Sequence, residues 1–106
     1  MTKGYWIAHV DISDPEGYKR YQEANALPFK QYGARFLARG GESELVEGQV
    51  RSRHVIIEFP SYKAAVECYH SEQYQLAKSY RADAGVGDIV IVAGYDGIQP
   101  SDSDNA

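Results

Sequence analysis

The chain is poor in the residues that usually announce a special chemistry. It has one cysteine, one methionine and one tryptophan in 106 residues. A single thiol excludes an internal disulfide framework, so the fold has to rest on its core. Lysine and arginine form no cluster and the net charge is −4. The basic footprint that nucleic-acid binding needs is missing, so we expect no nucleic-acid partner. No apolar run approaches the roughly 18 residues of a membrane span. The opening "MTKGYWIAHVD" enters a strand almost at once, leaving no room for a secretory signal. The expected setting is the cytoplasm. No two histidines have metal-ligand spacing, so no metal is expected. Gly85-x-Gly87 precedes a strand rather than following one, which argues against phosphate cradling, and no cofactor is expected.

What is present is an ordinary globular composition, with 43% hydrophobic and 25% charged residues. We read one domain over residues 1–97 and a polar, acidic tail over 98–106 expected to be disordered. The aromatic content is unusual. Tyrosine supplies nine side chains against three phenylalanines and one tryptophan. A buried tyrosine ring carries a hydroxyl that needs a partner.

"GYWIAHVD" reads as a strand, and Asp14-Pro15-Glu16 as the start of a helix. Tyr18, Tyr21, Asn25, Phe29 and Tyr32 continue at helical spacing. Pro28 should kink or break this helix, and Gly33 ends it. "ARFLARGG" is a second strand, bent or bulged at Gly40-Gly41, with "ESELVEG" continuing it or opening a hairpin arm. "RHVIIEF" is the third strand. Ser61 caps a second helix, Ser71 restarts it, and "DIVIVAGY" is the last strand. Two right-handed βαβ crossovers then predict an α+β, ferredoxin-like βαββαβ fold with an antiparallel sheet and both helical segments on one face. The expected strand order is fourth, first, third, second.

Alternation assigns the faces. Trp6, Ala8 and Val10, with Val55, Ile57 and Phe59, belong against the helices. The other face takes Tyr5, Ile7, His9 and Asp11, with His54, Ile56 and Glu58. By the same rule Arg35, Leu37 and Arg39 join that face from the second strand. His9, Glu58 and Arg39 would thus be neighbours, which is the condition under which a carboxylate is buried within "VIIEF". This face is also apolar in part, and burying four or five such side chains yields on the order of 10 kcal/mol gross. We therefore expect a homodimer whose two sheets face each other around a polar cavity for a small molecule.

The segments "KGYWIAHVD", "DPEGYKRY", "YGARFLARGG", "VEG", "VIIEFPSY", "YHSEQYQ" and "IVIVAGYD" together resemble the domain of unknown function 1330 family, of the dimeric α/β-barrel superfamily. The resemblance covers about residues 3–96 of the chain. It implies a ferredoxin-like protomer and sheet-to-sheet pairing, but no agreed activity. Superfamily relatives include cofactor-free monooxygenases, haem-binding enzymes and ligand sensors.

Three roles follow as expectations. His9 and Glu58 would move protons, and Arg39 would hold an anionic oxygen on the substrate. Tyr5, Asp11 and Asn25 would bind substrate, Asp11 at the cavity mouth. Asn25 has a competing role, bonding backbone freed at Pro28. A dimer that senses a ligand, or one in which these polar residues only fix geometry, satisfies the same pattern. Cys68 reads as a small core residue and Ser61 as a helix cap rather than as nucleophiles.

Overall fold

A computed structural model describes residues 2–102. The element order is β1 (Gly4–Ile12), α1 (Pro15–Gln31), β2 (Arg35–Arg39), β3 (Arg53–Phe59), α2 (Tyr62–His70), α3 (Glu72–Arg81) and β4 (Gly85–Ala93), followed by a 3₁₀ turn at Pro100–Asp102. The four strands form one sheet in the order β2-β3-β1-β4, antiparallel throughout. This is the ferredoxin-like α+β arrangement expected from the crossover rules. Part of the expected acidic tail, residues 103–106, lies outside the described residues. Among the described residues no helix is long and apolar enough to cross a membrane.

The core lies between the sheet and the helices. Trp6, Ala8 and Val10 of β1 and Val55, Ile57 and Phe59 of β3 are all buried there. Trp6 is its centre. Its ring packs edge-on against Phe29 at 5.3 Å and Tyr74 at 4.9 Å, and its indole N–H donates to the Ala65 carbonyl at 2.8 Å. Two tyrosine hydroxyls solve their burial problem by meeting each other, Tyr21 to Tyr74 at 2.7 Å. Burial and this neighbour push the Tyr74 hydroxyl far above its ordinary range.

Three local expectations change. Pro28 does not divide α1, which runs unbroken from Pro15 to Gln31. The buried Pro28 ring, Phe29 and Tyr21 keep the helix seated on the sheet, so packing outweighs the lost backbone hydrogen bond. β4 begins at Gly85, three residues earlier than the expected start at Asp88. Residues 41–50 form no strand, so "ESELVEG" neither extends β2 nor builds a hairpin arm.

That long connection is tied down at its end by Asp11. The Asp11 carboxylate accepts from the Ser52 backbone N–H at 2.9 Å, the Ser52 hydroxyl at 3.0 Å and Arg51 at 3.1 Å. Arg51 also donates to Asp88 at 3.0 Å. The Ser52 bonds, more than Arg51, hold Asp11 below its ordinary pKa. Folding therefore favours the ionised form. The latch is intact at neutral pH and its contribution fades as pH falls through the folded value, below about 4. Asp11→Asn should speed amide hydrogen exchange at Ser52 and residues 49–51 at pH 7 while leaving β1 and β3 protected. Wild type should show the same acceleration when acidified. Unchanged exchange in the variant would mean that the loop is held by other contacts.

Cys68 is fully buried, and desolvation pushes its thiol up to about 12. It donates weakly to the Pro28 carbonyl at 3.8 Å. At neutral pH essentially no thiolate exists there. A thiol reagent at pH 8 should leave native protein unlabelled and label it fully in denaturant.

Candidate functional site

The β1–β3 register places Tyr5 opposite Glu58, Ile7 opposite Ile56 and His9 opposite His54. All six share the sheet face away from the helices. The Tyr5 hydroxyl donates to Glu58 at 3.3 Å. His9 and Glu58 are four positions apart in this ladder, about 13 Å at about 3.3 Å per residue. They share a face but not a site.

Arg39 is on the other side of the sheet. Pairing between β2 and β3 runs Arg35 to Glu58 and Phe36 to Ile57, then resumes at Ala38 to Ile56 and Arg39 to Val55. Leu37 is the extra residue of a β-bulge, which reverses the alternation beyond it. Arg39 therefore joins Phe36 on the helix side and stacks on its ring, 4.0 Å from the centroid. Arg35 faces Glu58 instead. The expected His9–Glu58–Arg39 centre is thus not assembled. The cause is a bulge at Leu37, three residues before the double glycine where a bend was expected.

On the helix side a cavity of about 40 Å³ lies between α1 and the sheet. Arg39, Arg53 and Arg81 line it together with Asn25, Tyr18 and Tyr21, above an apolar floor that includes Trp6 and Ile57. No aspartate, glutamate or histidine is among its lining residues. Three arginines thus line it without a carboxylate among them, Arg39 exposed and Arg53 and Arg81 half-buried.

Arg53 arrives there by strand parity, being paired with Val10 on the helix face. Its Nε is buried and has no hydrogen-bond partner among the described residues. Its guanidinium packs beneath Gly40, where a Cβ would collide with it. Gly40 also has φ +67°, so this position excludes a side chain on two counts. The Tyr18 ring lies 5.7 Å from the Arg53 guanidinium. Burial raises the Tyr18 pKa, with Arg53 opposing that effect. Arg81 sits 5.1 Å from the Tyr21 ring and donates to the Tyr74 hydroxyl at 3.4 Å. Asn25 is 4% exposed and is the buried polar residue of α1. The geometry puts it at the cavity rather than on the free sheet face.

The free face has its own concavity, wide and open, of about 610 Å³. His9, Asp11, Asp88, Gln49, Val50 and Arg51 line it. Thus Asn25 is at one site and His9 with Asp11 at the other, while Tyr5 and Glu58 lie farther along the free face. Sequence reasoning missed Arg53 and Arg81. The period-two pattern does carry Arg53, which follows Val55 and Ile57 onto the apolar side. Arg81 becomes visible only when α3 is docked.

No curated protein matches this sequence. Among solved structures, a protein of unknown function from Rhodopseudomonas palustris has 19% identity and a TM-score of 0.68, covering 91% of this chain and 85% of its own. SnoaB from Streptomyces nogalater, a cofactor-independent oxygenase, has 6% identity and a TM-score of 0.59, covering 92% and 98%. A candidate antibiotic biosynthesis monooxygenase from Nitrosomonas europaea has 18% identity and a TM-score of 0.56, covering 93% and 100%. At these identities what is shared is the fold. The model of the domain of unknown function family DUF1330 matches residues 3–95, nearly the whole chain, and the chain belongs to that family.

Proposed function

We propose that this protein binds a small organic oxyanion, of the carboxylate class, in the cavity between α1 and the sheet. The observation that carries this reading is the buried, unpartnered Nε of Arg53 in a cavity lined by three guanidiniums and no acid. A buried donor without a partner is costly, and a charged one more so. A carboxylate satisfies such a fork with two parallel bonds. Asn25 offers both a donor and an acceptor to orient the rest of the ligand.

Size narrows the class. A cavity of about 40 Å³ exceeds the roughly 10–15 Å³ that one water needs and falls well short of the roughly 150 Å³ that holds benzene. It accommodates an anionic head group of a few heavy atoms. A larger ligand has to continue past Arg39. The cavity offers no imidazole or carboxylate as a general base. If turnover occurs, its chemistry would rest on stabilising negative charge on the ligand. The fold shared with SnoaB, a cofactor-independent oxygenase, keeps that second reading in view.

We further infer that two copies pair through the free sheet face. Val86, Val90 and Val92 of β4 are exposed at 58%, 55% and 42%, and Leu37 at 54%. With Ile7 and Ile56 between them in the ladder, they form an apolar strip too extensive to leave in water.

Two outcomes test these readings. Calorimetric titration with acetate, glyoxylate, lactate and benzoate should find a binder among the small carboxylates. Arg53→Gln should weaken that binder by ~10–150-fold, the value of a charged hydrogen bond. Arg53→Met should abolish binding and yet raise the melting temperature of the ligand-free protein, because a buried N–H without a partner is gone. A lowered melting temperature would make Arg53 a structural residue. For the pairing, light scattering should give twice the chain mass for wild type and the single chain mass for Val90→Asp with helix content unchanged. A wild-type monomer would overturn it.

A further inference from the structure

The free sheet face holds a second constellation, chemically unlike the first. His9 and His54 are directly opposite in the β1–β3 ladder, and their Nδ1 atoms are 2.8 Å apart with the rings inclined at 74°. One Nδ1 donates and the other accepts, so the two imidazole nitrogens face each other across the strands. Across β1 on its other side, Asp88 is the direct partner of His9. The Asp88 side chain is 73% exposed and binds Arg51 through Oδ2. His9 and Asp88 line the wide concavity of this face, which in the proposed dimer becomes a space between the two sheets with room for water ligands.

We infer that the His9–His54 pair is a binding site for a divalent transition metal ion, completed by Asp88. Two imidazole nitrogens 2.0–2.1 Å from one ion, at angles between octahedral and tetrahedral, stand about 2.9–3.4 Å apart. The observed pair has to open by a few tenths of an ångström, and both rings have to turn from facing each other toward the ion. The proton bookkeeping is simple. In the hydrogen-bonded pair one ring carries its proton on Nδ1 and the other on Nε2. Moving the first proton to Nε2 exposes both Nδ1 lone pairs, and neither neutral ring gains or loses a proton overall.

Arg51 already shows that a cation is favoured here, since its guanidinium sits between the Asp11 and Asp88 carboxylates at 3.1 and 3.0 Å. It also competes with a metal, because Asp88 must turn from Arg51 toward the histidines. Among the described residues no three ligands yet converge on one point. The preformed element is the imidazole pair. Imidazole nitrogens select zinc, copper and nickel over magnesium and calcium.

The test uses the untagged full chain, freed of metal and titrated with zinc or nickel chloride by calorimetry. His9→Gln and His54→Gln should each weaken binding by at least the ~10–100-fold that loss of a supporting residue around a metal costs. Arg51→Gln should tighten it, an effect that a purely structural role for Arg51 would not produce. His70→Gln, on α2 far from the pair, should change nothing. In wild type, substoichiometric nickel should broaden the imidazole resonances of His9 and His54 before any others, which keeps the test decisive if a histidine variant misfolds. Affinity unchanged in either His9 or His54 variant, or magnesium binding as tightly as zinc, would overturn the inference.

Discussion

The antiparallel register of β1 with β3 governs everything else in this molecule. It pairs Trp6 with Ile57 and Ala8 with Val55 on one side, and Tyr5 with Glu58 and His9 with His54 on the other. The apolar side gains its stability by covering itself with α1, α2 and α3. The opposite side is then fixed as well, because a shift of one residue would carry the tryptophan into water. Histidines, acid and tyrosine hold their places on the free face because of what Trp6, Ile57 and Phe59 require on the other.

Against that rigid pair, β2 introduces one irregularity, and it redistributes charge. Without the bulge at Leu37, Arg39 would face Glu58's side of the sheet. With it, Arg39 joins Arg53 and Arg81 on the helix side, where the cavity has three guanidiniums and no acid. Such a concentration of like charge opposes folding. Its persistence in a 106-residue chain, which has limited core to offset it, fits the general pattern in which strain and unsatisfied groups collect at functional sites.

The same contrast explains what was legible in the sequence. Element order, strand order and the two faces of β1 and β3 follow from alternation and crossover handedness, since those rules depend on local residues and general geometry. The family resemblance agrees with them. The site was less legible. A bulge inserts one residue without any distinctive local composition, and "RFLAR" reads equally well as regular strand. The double glycine attracted attention, yet Gly40's role is to make room for Arg53. Asn25 was identifiable as a polar interruption in an apolar stripe, but its cavity exists only once α1 and the sheet are docked. His54 was assigned to the right face. Its contact with His9 depends on register, which the residues alone do not specify.

The sheet also acts as a partition between unlike electrostatic environments. On the helix side every charged group lining the cavity is positive, and the Arg53 Nε is buried without a partner among the described residues. On the free side Asp11, Glu58 and Asp88 stand with Arg35, Arg51 and two imidazoles, largely in reach of water. The proposed anion site and the proposed cation site are then separated only by the thickness of a β-sheet. The strands that separate the sites are also shared by them, since Val10 and Arg53 form one rung of the ladder and His9 and His54 the next. Anything that spreads the histidine rung presses directly on the backbone that aims Arg53. These adjoining rungs are thus the nearest link between the two proposed sites.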